Sequence, residues 1–410
     1  VEFVATRQGG HKVRPMGARG VRLFGVAAVL SAAASRTTPA PVSRAAIVIS
    51  WPQTAITTPE VDRALVEFVA TRHFGYHALD DAQRRRLGAD LARSRLGSVT
   101  TLDQAVCVRN LLYKLQLDTQ RAALSPHRMA EHYAADARGS IAASAAHFQT
   151  APLEVARAVV RHRYCINGSL LRRVLQLTVS FVGERSESAA SAPQLAAFRA
   201  HLLAAASERR LSAQAKRDLA RFSRELSPAD WLQIVWACEH DMQGVPKEVT
   251  YNGAQAGEAQ LERHLARCGA SFRTEQDLRL EQDEERRSTP DILFDEAFPV
   301  CLGPAQPSGT HGDRVCWLDM KNQYGTVSCG PASDALVEQL AGKAARYTAD
   351  WGPGAFVLKY GFCSGLCRAL REQLGSSAHL VTILSADSLP AASAPTFDAP
   401  NSRGDDDLDA

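Results

Sequence analysis

The chain has 410 residues, of which 45% are apolar and 22% charged, and its formal net charge is +3. Such a composition fits a globular protein of two or three domains, and the charge is too small to point to nucleic acid by itself. No run reaches the roughly 18 apolar residues that a membrane-spanning helix needs, and nine cysteines without framework spacing suit a reducing compartment rather than a disulfide scaffold.

Between Arg7 and Pro59 there is no acidic residue, and the abundance of Arg, Ala and Ser is that of an organellar transit peptide. The opening heptapeptide VEFVATR recurs verbatim at Val66–Arg72 with no wider repeat. Residues 1–58 are therefore expected to be a disordered or misassembled segment outside the fold. Order is expected from Thr58-Pro59-Glu60, which supplies a cap, a first-turn proline and an acid at the positive end of a helix. Helices are expected at 80–94 and 101–115 across the break Gly97–Thr100, and at 141–148 and 153–164 across Gln149–Pro152, each pair reading as a helix-turn-helix element. The 153–164 helix carries Arg157, Arg161, His162 and Arg163, which would meet phosphates on a recognition helix. A buried helical hairpin has the same pattern. A flexible insertion at 183–193 and helices at 193–208 and from Ser212 complete a helical domain over 59–225.

The pattern changes at Ser227-Pro228-Ala229-Asp230, a strong helix start. A buried helix at 231–240 and another at 257–268 are expected, then strands at 292–294 and 315–318. A helix at 333–348, a strand at 355–360, a helix at 364–373 and a strand at 379–384 follow. Helices and strands in this order make an α+β or α/β domain over 226–384, a mixed sheet flanked by helices. Cys363 and Cys367, the tightest cysteine pair, lack nearby partners for zinc. Residues 385–410, rich in Pro, Ser and Asp, are expected to be a disordered acidic tail.

The chemistry concentrates between Ser288 and Tyr324. Asp291 opens one strand after Thr289-Pro290, and Asp319 sits near the end of the next, with Lys321 two residues on and so on the same face. Glu258 stands three residues before Leu261 and seven before Leu265, which places it on the core-facing stripe of its helix, with Glu262 as the alternative. Two carboxylates about 4 Å apart repel by roughly 4 kcal/mol at an effective dielectric of ~20, so a cluster of this kind asks for a cation. By spacing alone, a turn-capping Asp and a solvated Asp-Lys pair have the same signature.

A helical Glu258, Asp291 on one strand and Asp319-x-Lys321 on the next follow the order of PD-(D/E)XK nucleases. More narrowly, the chain resembles the TPD-motif family of codanin-interacting nucleases. The resemblance rests on Thr289-Pro290-Asp291, on Trp317-Leu318-Asp319-Met320-Lys321 with Gly325, on the turn Trp351-Gly352-Pro353-Gly354 and on Tyr360-Gly361-Phe362. It covers about 227–384 and, more weakly, the helices from about Asp80. It implies a nuclease-like C-terminal domain behind a helical region with helix-turn-helix elements, and metal-dependent hydrolysis of phosphodiester bonds in DNA or structured nucleic acid, DNA before RNA.

In that reading Glu258, Asp291 and Asp319 hold Mg²⁺ or Mn²⁺, and Lys321 completes the catalytic set. A codanin-like protein partner, no membrane, and a nuclear location with some cytoplasmic presence are also implied, while the acid-free N-terminus leaves an organelle open. Two positions depart from the family: Asp319 stands where it has Glu, and Lys343 and Tyr347 stand where it has Gln-x-x-x-Tyr. Lys343 and Tyr347, with Arg157 and Arg161, are the candidates for contacting nucleic acid. Lys343 either touches a phosphate or marks weakened activity, and the second option keeps open a catalytically weak scaffold acting as a protein interaction module.

Overall fold

The computed structural model describes residues 48–52, 56–184, 190–207, 211–244, 247–281, 289–302, 313–387 and 389. Every described residue belongs to one compact unit. Residues 1–47, 185–189 within the expected 183–193 insertion, and 388 and 390–410 within the expected tail lie outside the described residues; the start of that tail belongs to the fold, because Ser385 closes a strand and Ala386 and Leu389 are buried.

The helical region begins with α1 (Pro59–Arg72), α2 (Asp81–Arg93) and α3 (Leu102–Ala123). Their starts follow the capping chemistry: Thr58 accepts from Val61 N, while Asp80 with Gln83 and Thr101 with Gln104 form reciprocal capping boxes. Helix α3 runs past the expected end at Leu115, because Tyr113, Leu117 and Gln120 continue its buried stripe and no breaker intervenes before Pro126.

Next come α4 (Pro126–Ala134), α5 (Ile141–Phe148), α6 (Pro152–Arg163), α7 (Gly168–Gly183), α8 (Ala192–Ala206), α9 (Ala213–Glu225) and α10 (Pro228–Glu239). Two of these were not expected from the sequence. Helix α4 starts at a Ser125-Pro126 cap, and α7 buries Leu170, Leu171, Val174, Leu175, Thr178, Phe181 and Val182 at helical spacing, so both signals were present. Their core centres on Trp231, stacked on Phe198 at 4.6 Å.

Polar hubs lock this core. Asp230 accepts from Ser227 Oγ at 2.9 Å, from Tyr133 OH at 2.7 Å and from Tyr164 OH, and Arg163 lies 3.1 Å away. Helix α6 runs through the middle, burying Leu153, Glu154, Val155, Ala156, Ala158, Val159 and Val160. A recognition helix must present a free face, whereas α6 spends most of its circumference on packing and leaves Arg161 and Arg163 exposed at its end.

The remainder is built on a mixed sheet: β1 (Ile49–Trp51), β2 (Phe272–Thr274), β3 (Ile292–Leu302), β4 (Asp313–Lys321), β5 (Gly354–Leu358) and β6 (Val381–Ser385). The strand order is β1-β3-β4-β5-β6, with β2 beside β3. Strands β3 and β4 are antiparallel with an irregularity between Leu293 and Phe298, whereas β4, β5 and β6 run parallel. Strand β1 lies inside the stretch set aside with the N-terminus, yet it pairs in parallel with Val300–Leu302, and Trp51 donates from Nε1 to the Ser385 carbonyl at 2.7 Å.

Helix α11 (Lys247–Arg267) covers one sheet face through Leu261 and Leu265, against Leu318, Met320 and Val357. Helices α13 (Pro331–Trp351) and α14 (Ser364–Leu374) cover the other, against Leu293, Trp317 and Phe356. A short helix, α12 (Glu275–Glu281), follows β2. The period of two along β4 sends Leu318 and Met320 to α11, and Trp317 and Asp319 to α13. The Gly-Pro-Gly turn before β5 has a steric cause: Gly352 has φ +84°, and a Cβ on Gly354 would fall 2.1–2.5 Å from atoms of the Trp317 ring.

Candidate active site

The site forms where β3 begins and β4 ends. Ile292 pairs with Leu318 and Leu293 with Trp317, so the register carried one step further sets Asp291 beside Asp319. Asp291 Oδ2 accepts from the Met320 backbone N–H at 2.6 Å, and the Asp291 carbonyl accepts from Glu275 N at 3.0 Å. Thr289 is held at both ends: its carbonyl accepts from Tyr347 OH at 2.9 Å and its hydroxyl lies 3.3 Å from Glu275 Oε1. The Thr-Pro-Asp tripeptide is thus pinned by α12, α13 and β4 together, which fixes where the Asp291 carboxylate sits.

Asp319 is 1% exposed. Its Oδ2 atom touches the Lys321 ammonium, as two residues sharing a strand face should, yet accepts no hydrogen bond of acceptable geometry among the described residues. On the other side Lys343 Nζ lies 3.4 Å from Asp319 Oδ1, and so does Tyr347 OH. Two ammonium groups therefore flank one buried carboxylate. Burial lowers the Lys343 pKa from its ordinary value, with Asp319 opposing that shift. Burial, reinforced by the Asp319 charge, pushes the Asp291 carboxyl up to about 7.

Glu258 is half-buried rather than on the core stripe. Gly257, Leu261, His264 and Leu265 take that stripe, and Gly257 lets α11 approach the Met320 side chain. Glu258 instead lines a cleft of about 310 Å³ with Glu262, Glu275, Asp291, Gln255 and Arg279. Burial raises its pKa, and Glu275 and Asp319 add to the rise against the pull of Lys321. Glu275 is a site residue that the sequence reading missed. Its one signal is an acid directly after the short Phe272–Thr274 strand, and its position depends on that strand pairing with β3.

Of the proposed nucleic-acid contacts, Tyr347 is 1% exposed and bonded within the protein, so it positions Thr289 and Asp319 rather than facing a ligand. Lys343 is 27% exposed and faces Asp319. Arg157 and Arg161 lie on α6, away from these strands, and Arg157 is engaged by Glu154 at 3.4 Å. Cys363 caps α14 through its sulfur, and burial pushes its thiol up to about 11, the reverse of a reactive thiolate.

Among the described residues no three His, Cys, Asp or Glu side chains converge tightly enough to form a closed metal cage. The donor set nevertheless suits Mg²⁺ or Mn²⁺. Such hard cations are commonly held by one or two carboxylates, with water completing the shell, and Asp291, half-buried at the cleft, and Asp319, buried beside it, are two neighbouring carboxylates, the second with an oxygen lacking a hydrogen bond. No described helix is long and apolar enough to cross a membrane.

No curated protein and no solved structure matches the chain. The profile of a family described as "protein of unknown function TPD sequence-motif" matches residues 229–374, from α10 to the end of α14, a segment that contains Glu258, Glu275, Asp291, Asp319, Lys321 and Lys343.

Proposed function

We propose that the chain is a metal-dependent nuclease of the PD-(D/E)XK kind, hydrolysing phosphodiester bonds of DNA or structured nucleic acid. The observation that carries this reading is the juxtaposition of Asp291 and Asp319 on adjacent strands, with Lys321 on Asp319 and Glu258 across the neighbouring cleft. Asp291 and Asp319 would hold Mg²⁺ or Mn²⁺, with Glu258 reaching it directly or through water. When bound, such an ion supplies an acidified water and charge stabilisation for the scissile phosphate. Lys321 would orient the attacking water or offset negative charge developing on the phosphate. Tyr347 keeps Thr289 and Asp319 in register, and Lys343 would release Asp319 and meet a phosphate.

A second reading, a nuclease-like scaffold for a codanin-like protein partner, is favoured by one feature. With Lys321 and Lys343 both on Asp319, that carboxylate is neutralised without any metal. A nuclear location belongs to the same proposal. Incubation of the full chain with single-stranded, duplex and branched substrates in Mg²⁺ or Mn²⁺ separates the two readings. The nuclease reading expects cleavage that EDTA abolishes and that Asp319→Ala and Lys321→Ala each reduce at least a hundredfold. Cleavage that survives both substitutions, or none in any metal, leaves only the scaffold.

A further inference from the structure

We propose that a groove along α3, α6 and α7 is a binding track for a single strand of nucleic acid that leads to Lys321; this rests on the nuclease reading above. A cleft of about 540 Å³ opens where Asn110 and Lys114 of α3 face Asn322 and Gln323, the two residues directly after β4, and Tyr360, just past β5. A second cleft, of about 390 Å³, has Arg157, Arg172 and Gln176 on its walls. The two meet at Arg121 and Gln243, which line both. The groove and the carboxylate cleft also share a wall, since Gly253 of α11 lies against the Asn322 amide while Glu258 of the same helix faces the carboxylates.

The chemistry of the joined groove is that of a polyanion site. Five basic side chains line it against two acidic ones, Asp103 and Asp118; Arg84 is paired with Asp103, and Arg121 and Arg157 with Asp118 and Glu154, which leaves two cations to a ligand. Lys114 and Arg172 are exposed and have no ion-pair partner among the described residues. The side-chain amides of Asn110, Gln176, Asn322 and Gln323 likewise make no hydrogen bond among the described residues. Uncommitted cations and amides aligned along one groove match phosphates and base edges. Tyr360 is half-buried with the Lys359 ammonium 5.3 Å from its ring centre, which offers a stacking surface of the kind that unpaired bases use. A half-buried aromatic ring beside free side-chain amides favours unpaired bases, whose faces and edges are available, over a duplex, whose bases are already stacked and paired. The carboxylate cleft, by contrast, carries Glu258, Glu262, Glu275 and Asp291 against Arg279, so without metal it repels the same strand.

The test is fluorescence anisotropy of a labelled single-stranded oligonucleotide with the full chain in EDTA, so that no cleavage intervenes. Lys114→Gln and Arg172→Gln should each weaken binding at least threefold, and the pair about tenfold. The slope of log affinity against log salt should fall by roughly 0.7 for each lost phosphate contact. Thermal midpoints should stay unchanged, because both side chains are exposed and unpaired, and Arg224→Gln on α9 should bind like the parent. The groove assignment is overturned if the double variant binds like the parent, if Arg224→Gln loses as much, or if a duplex binds as tightly as the single strand with the same losses. Because binding is read without metal, a protein that holds the strand through these residues but never cuts it sinks the nuclease reading alone. One that cuts while the groove variants bind normally sinks the groove alone.

Discussion

Lys343→Gln is the most informative single change in the site. The Lys343 ammonium lies 3.4 Å from Asp319 Oδ1 with the side chain 27% exposed. At that distance opposite unit charges attract by about 1 kcal/mol in bulk water and about 5 kcal/mol at an effective dielectric of ~20. A divalent cation approaching Asp319 must break this pairing and also meets the repulsion of the ammonium itself. Partial exposure places the effect toward the lower end, so removing the charge should strengthen metal binding by about 1–2 kcal/mol, or roughly five- to thirtyfold. Glutamine keeps a donor of similar reach, and Lys343→Arg keeps the charge as a control. Calorimetric titration with Mn²⁺ at pH 8, where Asp291 is ionised, reads the difference. Equal or weaker Mn²⁺ affinity in Lys343→Gln, with Lys343→Arg unchanged, would refute the competition between lysine and metal.

Asp291 makes a prediction in pH. Its folded pKa of about 7 exceeds the ordinary ~3.9 of an unfolded Asp, so the folded state binds the extra proton and this group's contribution to stability declines between about pH 4 and pH 7 and is flat above. Denaturant unfolding of the parent minus Asp291→Asn should show that slope, and metal affinity should rise through the same window as cation displaces proton. Gly354→Ala should cost about 3 kcal/mol in urea unfolding, since its Cβ would displace the buried Trp317 ring from Tyr347 and from its hydrogen bond to the Gly352 carbonyl. Gly342→Ala, in α13 with nothing within 4 Å of the new atom, should instead stabilise by about 0.5–1 kcal/mol. Asp230→Ala should destabilise by about 3 kcal/mol by stranding the hydroxyls of Tyr133 and Tyr164, while Asp230→Asn, which keeps an acceptor, should cost less.

The parts of the site legible in the sequence were those fixed by local geometry. Asp319 and Lys321 meet because a strand repeats every two residues, and the caps at Thr58, Asp80, Thr101 and Ser227 mark where helices start. What escaped depends on distant pairing. Strand β1 is three residues long and is defined by a neighbour some 250 positions away in the chain. Glu275 belongs to the site only because β2 folds onto β3. Helix α11 begins at Lys247 rather than at Gly257, with glycines at 253 and 257 serving close approach to Asn322 and Met320. Lys343 was legible as a cation near the site but not as one already occupied by Asp319, a fact that rests on how α13 lies across β4.

The central claim is that Asp291 and Asp319 share a divalent cation. Crystals grown in Mn²⁺ and measured at a wavelength where manganese scatters anomalously test it directly. The claim predicts an anomalous peak bridging the two carboxylates, with Lys343 swung off Asp319, and no peak in Asp291→Asn. Crystals at a Mn²⁺ concentration that supports cleavage, with no peak there and both lysines still on Asp319, would contradict it.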